Sequence, residues 1–111
     1  MPRKTEIVTK LSTQLVRFLL SRSAEGINIE IRNMENEIFV VIESKIALSE
    51  QDLHLLNSYL KVESHEEMAY YYLPLAGEYG SDEDLMLISM LVNSVEIDYK
   101  EQGNVLKISF V

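Results

Sequence analysis

Two paired runs of strand-like residues, one ending near Ile42 and the other near Phe110, most constrain the fold of this chain. Ile27, Ile29 and Ile31 alternate with Asn28, Glu30 and Arg32, which puts the isoleucines on one face of a strand. After the polar turn Met34–Glu37, residues Ile38 to Ile42 are apolar on both faces, as in a more central strand. Val95, Ile97 and Tyr99 alternate with Glu96, Asp98 and Lys100. Glu101-Gln102-Gly103-Asn104 then supplies a turn with an easy positive-φ residue, and Leu106, Ile108 and Phe110 form the last apolar face. Two antiparallel hairpins follow, with the isoleucine face of the first expected to be buried.

The remainder follows a helical period. Ile7, Leu11, Leu15, Phe18 and Leu19 recur at three- and four-residue spacing, which predicts a helix over roughly Thr5 to Ser23 with Gly26 as its stop. Ser49 with Asp52 resembles a capping box opening a second helix, whose stripe is Leu53, Leu56, Tyr59 and Leu60. Ser64 with Glu67 repeats the signal for a helix presenting Met68, Tyr71, Tyr72 and Leu75, bounded by Pro74 and Gly77. A last helix runs from Gly80–Asp84 through Asn93, and its Leu85–Val92 run is apolar nearly all round. The expected fold is α+β: a two-layer sandwich, helices packed on one face of a mixed, mostly antiparallel sheet of about four strands. One domain, 1–111, is the natural count for this length, with an extra strand or a dimer available to cover the other face.

Charge and composition narrow the partners. Net charge is −8, unevenly spread: residues 1–61 hold eight basic and eight acidic side chains, residues 62–111 two and ten. Such a surface repels nucleic acid and anionic lipid. No apolar run approaches the roughly 18 residues of a membrane span, and no secretory leader is evident. The chain lacks cysteine, so disulfides and thiolate metal sites are excluded and a cytoplasmic setting is expected. Only His54 and His65 are available as imidazole ligands, without zinc-site spacing, and no metal is expected.

From about Leu11 to Val111, the order helix, hairpin, helices, hairpin resembles the GHKL ATPases: histidine kinases, anti-sigma-factor kinases and gyrase-type ATPases. The likeness is carried by Gln14-Leu15-Val16-Arg17-Phe18 through Glu43, and by Leu85 through Phe110 with its Leu91–Ile97 helix-to-strand passage. The resemblance implies a nucleotide site whose motifs are altered here. The family's helical Glu and Mg²⁺-holding Asn fall on Gln14 and Phe18, and a phenyl ring offers no oxygen to a hard cation. Its adenine-binding Asp and following glycines fall on Glu43, Lys45 and Ala47, where side chains crowd the base. Its glycine-rich phosphate turn falls on Gly80–Met86, where Asp82, Glu83 and Asp84 take the place of a phosphate at a helix start.

The expectation is therefore a non-catalytic protein-interaction or regulatory module with no cofactor and no catalytic residues. Its partner is another protein or a second copy. Tyr70-Tyr71-Tyr72 cannot all share one helix face, and tyrosine is enriched at interfaces. Tyr70, Tyr72 and Tyr79, beside Asp82, Glu83 and Asp84, form the candidate interaction surface. Two alternatives stand beside it: a residual nucleotide or small-ligand site in the cleft near Glu43, Lys45 and Arg22, and a homodimeric structural subunit.

Overall fold

A computed structural model describes residues 4–60, 83–92 and 94–111. The elements are α1 (Lys4–Ser21), β1 (Gly26–Asn33), β2 (Ile38–Lys45), α2 (Glu50–Leu60), α3 (Glu83–Ser89), β3 (Val95–Lys100) and β4 (Val105–Phe110). The fold is α+β, as the two periodicities require. The helix expected after Ser64 lies outside the described residues.

α1 buries the expected stripe of Ile7, Leu11, Leu15, Phe18 and Leu19. Its stop is not Gly26. Ser23 takes a left-handed φ of 62°, its N–H donates to the Leu20 carbonyl at 3.1 Å, and the Ala24 N–H donates to Leu19 at 3.1 Å. Those two bonds are the Schellman pattern, which satisfies the carbonyls that a helix end leaves over. Ala24 then packs against the core, and Gly26 opens β1 instead. In α2 the Ser49 hydroxyl accepts from the Asp52 N–H at 3.0 Å, the expected cap. Leu56 and Leu60 are buried, and Leu85 and Ile88 of α3 join the same core. The Ser89 hydroxyl bonds to the Tyr59 carbonyl at 2.8 Å, which ties α3 to the end of α2.

The sheet order is β1-β2-β4-β3, and each of its three pairings is antiparallel. β2 is central, as its two-sided apolar character implied. Register places three rows on the helix side: Ile27–Ser44–Leu106–Tyr99, Ile29–Ile42–Ile108–Ile97 and Ile31–Val40–Phe110–Val95. Val40, Ile42, Leu106, Ile108 and Phe110 are buried beneath the helices. The opposite face carries charge in cross-strand alternation, as in the row Asn28–Glu43–Lys107–Asp98. All four residues of that row are exposed, while Phe39 and Val41 on the same face are half-buried.

β1 departs from expectation. Its isoleucines share the helix-side face, yet Ile29 is 42% and Ile31 53% exposed. Alternation specifies which residues share a face, and β1 lies at the sheet margin, where only Ile27 of its three isoleucines packs against the core.

Candidate functional site

The cleft that the sequence resemblance designates begins on the last turns of α1. Phe18 is fully buried, and the Arg22 guanidinium lies over its ring, 3.8 Å from the centroid. The Schellman turn positions this stack, since its left-handed residue, Ser23, directly follows Arg22. Arg22 also reaches across to α2, where its Nε lies 3.3 Å from Asp52 Oδ1, and its Nη1 donates to the Ser21 hydroxyl at 3.0 Å. A partly desolvated stack of this kind contributes about 0.5–2 kcal/mol. Four residues before Phe18, Gln14 is only 4% exposed, and its Oε1 accepts from Arg17 Nε at 2.9 Å. Neither position presents an open oxygen for a cation.

Glu43 does not join this cluster. It is exposed on the opposite face of the sheet, across from Lys107 and Asn28. The strand-end residue on the helix side is Ser44, which is buried and donates to the Gly26 carbonyl at 2.7 Å. Ser44 was legible, because alternation from Val40 and Ile42 lands on it. Lys45 is exposed and lies 3.5 Å from Glu25. Arg22, Glu25, Lys45, Ile46 and Asn104 surround a depression of about 190 Å³. Small-molecule sites usually enclose about 300–1,000 Å³, so this one is undersized for a nucleoside triphosphate.

Beside the depression lies a hydrogen-bonded node that sequence reasoning missed. The Tyr99 hydroxyl accepts from the Leu48 N–H at 3.0 Å and donates to the Ile46 carbonyl at 3.1 Å, with Asn104 Oδ1 at 3.3 Å. Asn104 sits at φ 54°, and its carbonyl accepts from the Ile46 N–H at 2.8 Å. The node fastens the β2–α2 connection to the β3–β4 hairpin. The place where the resemblance expects glycines near a base is thus closed by backbone bonds. A larger depression, about 390 Å³, lies over Glu96, Asp98, Lys107 and Ser109 on the charged sheet face. Its mixed charges give it no single-sign preference.

Of the expected interaction surface, Tyr70, Tyr72, Tyr79 and Asp82 lie outside the described residues. Glu83 and Asp84 begin α3, where only their backbone is described. His54 is exposed on α2, and among the described residues no group of three His, Cys, Asp or Glu side chains is arranged to hold a metal. No helix of the described residues is long and apolar enough to cross a membrane.

No family model, curated protein or solved structure matches this chain.

Proposed function

We propose that this chain is a non-catalytic protein-interaction or regulatory module, built on a fold resembling the histidine-kinase-type ATPases and without their nucleotide site. The observation that carries the proposal is the Phe18–Arg22–Asp52 stack. An aromatic ring and a guanidinium occupy the helix face on which the resembled family holds Mg²⁺. Gln14, the other inherited position, is buried and bonded within its own helix. The Tyr99 node supports it further, since it closes the corner where an adenine would enter.

A protein partner fits the charge better than nucleic acid or anionic membrane does, given a net charge of −8. A reducing cytoplasm belongs to the same proposal, since the chain has no cysteine. Tyr70, Tyr72 and Tyr79, with Asp82, Glu83 and Asp84, are proposed as one contact surface on composition.

Thermal melting with and without millimolar Mg-ATP is the test. A ligand at 100 times its Kd adds about 2.7 kcal/mol to the native state, or roughly 10–20 °C for a domain of this size. The expected result is an unchanged melting temperature. A rise that grows with ATP concentration would replace this proposal with a surviving ligand site beside Arg22 and Lys45.

A further inference from the structure

Among the described residues, the outer margin of β1 is an unusual strand edge. Edge strands are ordinarily guarded by proline, lysine, a bulge or a covering element. β1 reads Gly-Ile-Asn-Ile-Glu-Ile-Arg-Asn, with neither proline nor lysine, and its register with β2 runs unbroken from Gly26 to Asn33. Among the described residues no further strand pairs with it. Ile29, Ile31 and, at its end, Met34 are exposed.

Backbone phase fixes what this edge offers. Met34 and Glu37 exchange both backbone bonds across the turn, at 2.9 and 3.3 Å. Bonded pairs alternate along an antiparallel ladder, so Arg32–Phe39, Glu30–Val41 and Asn28–Glu43 are the bonded pairs of this hairpin. The N–H and C=O groups of Ile27, Ile29, Ile31 and Asn33 therefore point outward from the sheet. A strand added here must place its own outward residues opposite these.

We propose that β1 pairs antiparallel with β1 of a second copy, about a two-fold axis through Ile31. The sequence selects this register. With Ile31 opposite the partner's Ile31, Glu30 faces the partner's Arg32, and Arg32 faces the partner's Glu30. Within one chain these two side chains already bond at 2.7 Å and are largely exposed, so the paired strands gather two acids and two bases on one face. A register centred on Glu30 would set two carboxylates against each other, and one centred on Ile29 would leave Glu30 facing an asparagine. Like charges directly opposite are destabilising and unlike charges favourable. On the other face, the row Val95–Phe110–Val40–Ile31 runs on through the axis into its own copy. Both helix layers then lie on the same side of one continuous sheet. This dimer does not depend on whether nucleotide binds.

Sedimentation of the full chain at low and high loading tests it. The parent should form a concentration-dependent dimer. Glu30→Arg alone and Arg32→Glu alone should each weaken it by at least about tenfold, because each sets like charges opposite across the axis. Mixing those two variants should restore a dimer, since each then supplies the charges the other lacks. Both positions are exposed, so folding is preserved in either. Because the chain has no cysteine, Ile31→Cys gives a single thiol that a short bis-maleimide should link to its mate, whereas Ile29→Cys should not link. A parent that stays monomeric at every loading overturns the proposal. So does a dimer indifferent to both charge reversals, or one that cross-links through Ile29→Cys instead.

Discussion

Replacing Tyr99 with Phe isolates the contribution of one oxygen atom. The ring keeps its place in the helix-side row Ile27–Ser44–Leu106–Tyr99, so no cavity opens. What disappears is the acceptor for the Leu48 N–H and the donor to the Ile46 carbonyl, both part-buried bonds. A typical net hydrogen bond contributes about 0.5–1.5 kcal/mol, and an orphaned buried donor costs about 1–3 kcal/mol. The Leu48 N–H is only part-buried and regains some water, so the expected loss is about 1–2 kcal/mol. For a domain of this size that lowers the melting temperature by roughly 4–16 °C. Denaturant titration should show a lower midpoint with an unchanged slope, because the surface exposed on unfolding is the same. Amide exchange adds a local readout: the Leu48 amide should lose protection while amides in β4 keep theirs relative to global stability. A variant within about 0.5 kcal/mol of the parent, with Leu48 still protected, would refute the claim that this hydroxyl fastens the β2–α2 connection.

Substitutions at three further positions probe other joints. Ser23→Gly removes the strain of a side chain at φ 62° and should raise stability by about 0.5–1 kcal/mol in chemical denaturation. Gly103→Ala should cost about 1 kcal/mol or slightly more. Its φ of 93° is the cause, since the added Cβ would meet only Val105 Cγ2 at 3.9 Å. Phe18→Ala should cost about 3–5 kcal/mol as a core truncation, with Phe18→Leu much milder; neither should acquire Mg-ATP binding in a thermal shift, because neither supplies a metal-binding oxygen.

Much of this architecture follows from periodicity. Apolar residues on both faces of Ile38–Ile42 placed β2 inside the sheet, and it lies between β1 and β4. The α1 stripe and the Ser49 cap were equally readable, because spacing and capping are local properties. The misreadings share a cause: each turned on what lay beyond the segment. Gly26 looked like the end of α1 because glycine adopts positive φ without penalty, but two backbone bonds from Ser23 and Ala24 hold the left-handed turn on a serine. Ile29 and Ile31 share a face with Ile42 and Val40, yet only the inner two are buried, since alternation carries no information about what rests on a face. At the candidate site, Phe18 was legible as core, whereas its stack with Arg22 and the reach to Asp52 depend on how α1 meets α2. Glu43 is exposed on the far face of the sheet, and the strand-end side chain that faces the helices is Ser44.

The position of β4 has a consequence for how the molecule comes together. β1 and β2 form one ladder, and among the described residues β3 enters the sheet through its ladder with β4, residues 105–110. A growing chain therefore cannot complete the sheet until Val105 to Phe110 have emerged, and in the meantime β2 exposes a raw margin while β3 has no strand to pair with. A nascent chain stalled short of Val105 should be a ready client for chaperones and proteases, however well α1 and the first hairpin have already closed on each other.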